Sequence, residues 1–160
     1  MKKPVIIIIA IIYIIAIAVV GFLGISARVF NPAVFVEDIQ LTFDPKLTDK
    51  SDKINDVEKE QYKLDYKYLI KTNETIVSFY VSAAVLPNNA TSKKCIFAAQ
   101  NTAEYYTMEV SELKGDYTTA TFTVDTSLYT EKTKTIYFSV ETTDGNKDVV
   151  KHVMIFVQKG

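Results

Sequence analysis

From Pro32 onward, apolar and polar side chains alternate along the chain. Tyr62, Leu64, Tyr66, Tyr68 and Ile70 share one phase, with Lys63, Asp65, Lys67, Leu69 and Lys71 in the other. Val77, Phe79, Val81, Ala83 and Val85 repeat the pattern, with Ser78, Tyr80 and Ser82 between them. Successive side chains of a strand point to opposite faces, so this alternation predicts half-buried strands. Further strands are predicted over residues 34–43, 95–100, 105–110, 118–124, 135–143 and 149–157, all rich in Val, Ile, Phe, Tyr and Thr. Those residues suit a pleated surface. Turn signals separate the runs: Pro87-Asn88-Asn89, Lys114-Gly115-Asp116 and Asp144-Gly145-Asn146. The last of these lies between two long runs, where an Asp-Gly pair signals a hairpin. Some eight short strands at near-regular spacing predict an all-β antiparallel sandwich over residues 33–160. The densely charged stretch from Leu47 to Gln61 fits either a short helix carrying Ile54 and Val57 or a solvated loop.

The first 28 residues follow another rule. Met1-Lys2-Lys3-Pro4 leads into residues 5–25, an apolar run broken only by Gly21 and Gly24, and ten of the 17 isoleucines fall in it. As a helix rising ~1.5 Å per residue, the run covers roughly 32 Å, enough to cross a hydrocarbon core. Two lysines before the run and the single Arg28 after it favour a cytoplasmic N-terminus. Residues 1–28 are therefore expected to form a transmembrane signal-anchor helix in contact with the bilayer through residues 5–25, with residues 33–160 extracytoplasmic. The competing reading is a cleaved signal peptide ending near Ile25-Ser26-Ala27, against which the length of the run counts. No Cys lies near its end to carry a lipoprotein acyl chain. A pilin-like leader is also excluded, because its apolar helix follows the processing site, whereas this run precedes Gly21-Phe22.

Composition narrows the functional classes. The 48% hydrophobic content averages the apolar run with an ordinary domain. No second such run exists, which excludes a polytopic transporter. Three of the 18 cations, Lys2, Lys3 and Arg28, sit in the first 28 residues, leaving 15 against 19 acids, a net −4, beyond them. A basic face for nucleic acid is therefore not expected. Cys95 is the only cysteine, so there is neither an intrachain disulfide nor a cysteine metal cage.

Two segments carry a family resemblance. Val85-Leu86-Pro87-Asn88-Asn89-Ala90-Thr91-Ser92-Lys93-Lys94 is similar to the strand and Pro-x-Asn-Ala-Thr-Asn-Lys turn of bacterial immunoglobulin-like domains of group 2. Cys95-Ile96-Phe97-Ala98-Ala99-Gln100-Asn101 fits the strand that follows, with Phe97 where that family usually has Trp and Ala98 and Ala99 where it has serines. Phe138 to Lys147 resembles the family's final hairpin, with Val153 to Val157 as the last strand. The resemblance covers about residues 72–157. It is faint over Tyr106 to Gly115, and residues 33–71 exceed the family's usual first strand. It implies an immunoglobulin-like sandwich in a surface or envelope protein, an adhesin or spacer module, and it carries over no catalytic residues.

The chemistry-bearing side chains do not assemble into a motif. His152, the single histidine, lies on the last predicted strand with no nucleophile motif near it, so it reads as an ordinary strand residue. Cys95 reads as a small buried hydrophobe, with an intermolecular disulfide as the alternative. Asp144-Gly145-Asn146-Lys147-Asp148 offers oxygens but lacks the spacing and closing Glu of a calcium loop. Asn73-Glu74-Thr75 and Asn89-Ala90-Thr91 match the glycosylation acceptor pattern, which matters only in a eukaryotic secretory pathway. Glu37 and Asp38, adjacent on a strand, point to opposite faces. No catalytic, cofactor-binding or metal-binding residue is assigned and no cofactor is expected. Nine of the ten tyrosines lie beyond residue 28, and tyrosine is enriched at binding surfaces as well as in strands. The expected function is a single-pass, membrane-anchored, extracytoplasmic module, not an enzyme, with a structural or adhesive role toward a protein or glycan at a bacterial cell surface. The alternative is an accessory subunit of a membrane-embedded envelope complex, although Gly21-x-x-Gly24 is too short for small-xxx-small helix packing.

Overall fold

Among the described residues the alternating runs become nine strands in two sheets. The computed structural model describes residues 11–21, 32–112, 114–143 and 148–160, and it divides into two units, Met1–Ala33 and Val34–Gly160. In the first unit residues 11–21 are helical (α1), with every side chain exposed. Among the described residues no helix is long and apolar enough to cross a membrane. The rest of the 5–25 run, with Lys2, Lys3 and Arg28, lies outside the described residues.

The second unit contains β1 (Asp38–Phe43), β2 (Thr48–Asp49), α2 (Asp56–Tyr62), β3 (Tyr66–Thr72), β4 (Ile76–Leu86), β5 (Ile96–Ala99), β6 (Tyr106–Val110), β7 (Thr118–Asp125), β8 (Thr133–Thr143) and β9 (Asp148–Lys159). One sheet has the order β1-β4-β7-β6 and the other β2-β3-β9-β8-β5. In every strand but the two-residue β2, the inward phase is the apolar one. Val77, Phe79, Val81, Ala83 and Val85 of β4 face Ile136, Phe138 and Val140 of β8 and Val153, Ile155 and Val157 of β9 across a shared core. Phe79 pairs in register with Phe122 of β7, and their rings stack at 5.3 Å. Phe122 in turn meets Phe138 of the opposite sheet at 4.9 Å. Burying each such ring contributes about 1.5–3 kcal/mol.

Several expectations need correction. The sandwich is not wholly antiparallel: β3 runs parallel to β9, from Tyr66↔Val153 to Thr72↔Lys159. Because β8 and β9 form an antiparallel hairpin, a strand on the far side of β9 must itself run either parallel or antiparallel to it, and alternation within one strand cannot decide which. The run that begins at Tyr62 is not all strand. Tyr62 ends α2, Lys63 turns the chain with φ 51°, and β3 starts only at Tyr66. The Leu47–Gln61 stretch holds β2, a short 3₁₀ turn (Ser51–Lys53) and α2. Ile54 precedes α2, and Val57 within it is 68% exposed, so neither seats the helix by burial. What starts α2 is a capping box. Asn55 Oδ1 accepts the Glu58 N–H at 2.9 Å, and Glu58 Oε2 accepts the Asn55 N–H at 3.1 Å, satisfying two otherwise unpaired donors. At Lys114-Gly115-Asp116, Lys114 and Tyr117 exchange backbone hydrogen bonds around Gly115 at φ +63°, the first central position at which a tight hairpin takes glycine. Asp144-Gly145-Asn146 lies outside the described residues, although the strands flanking it pair Thr143 with Asp148.

Candidate functional site

On the outward phase of the second sheet, β9 is apolar at Met154 and Phe156, where solvated strands are usually polar. On β9 the residues Val153, Met154, Ile155, Phe156 and Val157 are all apolar, the mark of a strand covered on both faces. Met154 is 6% exposed although it points away from the sandwich core. Together with Phe156 it forms the floor of a groove of about 620 Å³. Thr135 and Tyr137 of β8 continue the floor, Tyr62 and Glu58 of α2 make one wall, and Gln100 and Asn101, which follow β5, make the other.

Hydrogen bonds hold the walls in place. The Tyr137 hydroxyl donates to the Tyr62 carbonyl at 2.6 Å, and the two rings meet edge to face at 5.4 Å. Tyr137 Oη also lies 3.2 Å from His152 Nδ1. Since the phenolic proton is committed to Tyr62, that contact assigns the proton on the imidazole to Nδ1. Burial, helped by Tyr62 and Asp65, pushes the Tyr137 phenol upward. Asp65 pins this corner by accepting the His152 N–H at 2.8 Å and donating its own N–H to the His152 carbonyl at 3.0 Å. On the opposite wall, Asn101 imitates a strand. Its Oδ1 accepts the Tyr137 N–H at 2.7 Å and its Nδ2 donates to the Thr135 carbonyl at 2.9 Å. Gln100 donates its N–H to the Tyr137 carbonyl at 2.8 Å and its Nε2 to Ser139 Oγ at 3.0 Å.

The groove carries no uncompensated charge. Among the described residues, Glu58 is the one charged residue in its lining. Lys67 Nζ donates to Glu58 Oε1 at 2.6 Å, and the other carboxylate oxygen is taken by the helix cap. The Lys67 hydrogen bond outweighs the opposing effect of burial, and with the Asn55 N–H and the Lys67 charge it holds the Glu58 carboxyl below its ordinary value. The same ammonium lies 5.3 Å from the Phe156 ring centroid.

The residues singled out in the sequence are placed apart from one another. His152 stands at the margin of the groove, behind Tyr137, as a structural partner of that ring. Cys95 is 3% exposed in the core, and burial pushes its thiol up to about 11. Asp38 Oδ1 pairs with Lys151 Nζ at 2.7 Å, away from the exposed Glu37, and the Asp144 to Asp148 oxygens lie largely outside the described residues. Among the described residues no group of three or more His, Cys, Asp or Glu side chains could hold a metal ion. Of the tyrosines, Tyr62 and Tyr137 form the groove. Tyr66 and Tyr68 instead pack on Phe43, while Tyr106 and Tyr129 belong to the buried core and Tyr105 packs against them. Sequence reading missed the groove, yet its signal was available in Met154 and Phe156, apolar residues in the outward phase.

No protein-family model matches the chain, and no curated protein is significantly similar to it.

Proposed function

We propose that this protein is a single-pass, membrane-anchored module with an extracytoplasmic immunoglobulin-like sandwich, and that it retains a partner at a bacterial cell surface without turning it over. The observation that carries the binding role is the concave, charge-compensated groove over β8 and β9, where aromatic rings converge and the single carboxylate has both oxygens engaged. Small-molecule and cofactor sites have this character: concave, mostly apolar, with a few placed polar groups. The strand order supports the immunoglobulin-like reading. With β1, β4, β7 and β6 taken as strands A, B, E and D, the opposite sheet contains C-F-G as β5-β8-β9, the arrangement of that fold, with β3 and β2 added beyond β9. The Pro87 to Thr91 turn, with two residues in turn geometry after β4, is compatible with the resemblance to bacterial immunoglobulin-like domains of group 2. The anchor rests on residues 5–25 and on the cations flanking them.

The test is protease treatment of intact protoplasts carrying the full chain tagged at its C-terminus. The domain should be shaved from the surface while the apolar segment stays with the membrane. Protection of the domain in intact cells, with digestion only after lysis, would reverse the orientation and sink the reading.

A further inference from the structure

We infer that the groove between α2 and the outer face of β8 and β9 binds a neutral glycan, one or two pyranose rings at a time. This deepens the binding role proposed above and rests on it. A pyranose has an apolar C–H face and a rim of hydroxyls, so its site needs a flat apolar surface bordered by uncharged hydrogen-bonding groups. The groove supplies both. Met154 and Phe156 form the floor and the Tyr62 ring a side wall, while the Thr135 hydroxyl, the Tyr62 hydroxyl and the Gln100 carbonyl make no hydrogen bond among the described residues. Aromatic side chains combine large apolar area with a polar handle in this way.

Charge and size exclude the competing ligand classes. A uronate, sialate or phosphate would find no cation to pair with, because the Lys67 ammonium is already spent on Glu58 at 2.6 Å. A burying alkyl chain would strip water from the Gln100, Thr135 and Tyr62 polar atoms without replacing the hydrogen bonds, which disfavours it. The volume of about 620 Å³ falls within the roughly 300–1,000 Å³ of small-ligand sites. Its eight lining residues are far fewer than the roughly 20–30 per side of a stable protein interface. The walls are also preorganised. Tyr62 is fixed by Tyr137, and Phe156 is held under Lys67, so little side-chain freedom is lost on binding.

The full chain in detergent micelles, titrated with linear tetrasaccharides of glucose, mannose, galactose and N-acetylglucosamine, tests the assignment by calorimetry and saturation-transfer NMR. Tetragalacturonate and a sialylated tetrasaccharide serve as charged controls. At least one neutral tetrasaccharide should bind saturably, and the charged ones at least tenfold more weakly. Tyr62→Ala should weaken binding tenfold or more. Gln100→Ala changes an exposed side chain and removes one side-chain hydrogen bond, to Ser139 Oγ, so it should do the same with only a small shift in the unfolding midpoint. Absence of saturable neutral binding, equal or tighter binding of the charged sugars, or unchanged affinity in both variants overturns the inference, as does a protein partner that footprints to the groove. If the protoplast assay still exposes the domain, such a failure removes the glycan and leaves the surface-module reading standing.

Discussion

Tyr137 and Tyr62 are joined twice, by a 2.6 Å hydrogen bond from the Tyr137 hydroxyl to the Tyr62 carbonyl and by an edge-to-face ring contact at 5.4 Å. This pairing ties a seven-residue helix with no buried residue to the sheet beneath it. So short a helix is marginal alone, so α2 should depend on this tether. Tyr137→Phe removes the donor and keeps the ring, and is expected to cost about 0.5–1.5 kcal/mol. The loss should be local: amide hydrogen exchange should accelerate through Asp56–Tyr62 while the protection of β4 and β7 changes much less. Uniform acceleration across all strands would show that α2 is not separately tethered.

Core and surface aromatics should differ sharply. Phe122 is fully buried between Phe79 and Phe138, and Phe122→Ala should cost about 3–5 kcal/mol by lost burial and a residual cavity. Tyr80 on the outer face of the same sheet is 39% exposed, and Tyr80→Ala should fall within about 1 kcal/mol of the parent. Equilibrium urea denaturation checks both, and comparable losses would contradict the assignment of the core.

Cys95 should behave as a hydrophobe. At 3% exposure with its thiol pushed up to about 11 by burial, it holds almost no thiolate at pH 8, and the thiolate is the reactive form. A maleimide or aromatic disulfide reagent should label it only as fast as the domain opens, and fully in denaturant. Rapid stoichiometric labelling of the folded chain, or a disulfide-linked dimer under oxidation, would place the thiol at the surface.

Much of this fold is legible along the chain, because strand burial writes a period of two wherever one face meets a core. The β4 pattern from Val77 to Val85 and the β7 pattern from Thr118 to Val124 are of that kind. Alternation does not report partners, which is why the parallel β3–β9 register is invisible in it: Tyr66 and Val153 are brought together by the topology alone. It also misled at Tyr62 and Leu64, whose phase continues that of β3 although Lys63 breaks the chain direction with φ 51°. The better signal there was Asn55-x-x-Glu58, a capping box followed by a helix. The groove draws on residues from Glu58 to Phe156, and such convergence has no local signature beyond the apolar outward phase of β9.

Acid should loosen the contact between the sheets before it unfolds the core. Asp38 on β1 meets Lys151 on β9 at 2.7 Å. Burial pushes its carboxyl upward, but the Lys151 hydrogen bond, the Ile39 N–H and the Lys151 charge together outweigh it and leave the carboxyl below its ordinary value of 3.8. A lowered carboxyl adds stability that is present above the unfolded value and lost as pH falls through the folded one. Lys151 is raised above 10.5, chiefly by the Asp38 hydrogen bond, so its share persists below that pH and is lost as pH rises through the folded value. The Asp38 side chain is 50% exposed, and screening limits the pair to under about 1 kcal/mol. Asp38→Asn should lower stability by that amount at pH 7 and flatten the decline below about pH 4. A variant whose acid limb matches the parent would remove Asp38 from the account.

Asn101 closes an edge that β5 is too short to cover. β5 pairs with β8 only from Phe138 to Glu141, and beyond the Gln100 N–H bond to the Tyr137 carbonyl no strand covers this edge of β8 among the described residues. The Asn101 carboxamide takes the place of a missing strand residue there, accepting from Tyr137 and donating to Thr135. The Tyr105 hydroxyl adds a second donor to the Thr135 carbonyl at 2.6 Å, and the Asn101 carbonyl accepts the Tyr106 hydroxyl. Asn101→Ala strands a part-buried N–H and removes one of two donors to a carbonyl, at a cost of about 1–3 kcal/mol. Asn101→Asp keeps the acceptor for Tyr137 but sets a carboxylate oxygen against the Thr135 carbonyl, so it should destabilise at neutral pH and become milder in acid, where the protonated carboxyl can donate to that carbonyl. Unpaired strand edges recruit other chains. Asn101→Ala should therefore also raise concentration-dependent association, read by light scattering, more than Tyr137→Phe does at matched stability. Equal association in the two variants would mean that Asn101 contributes hydrogen bonds without guarding the edge.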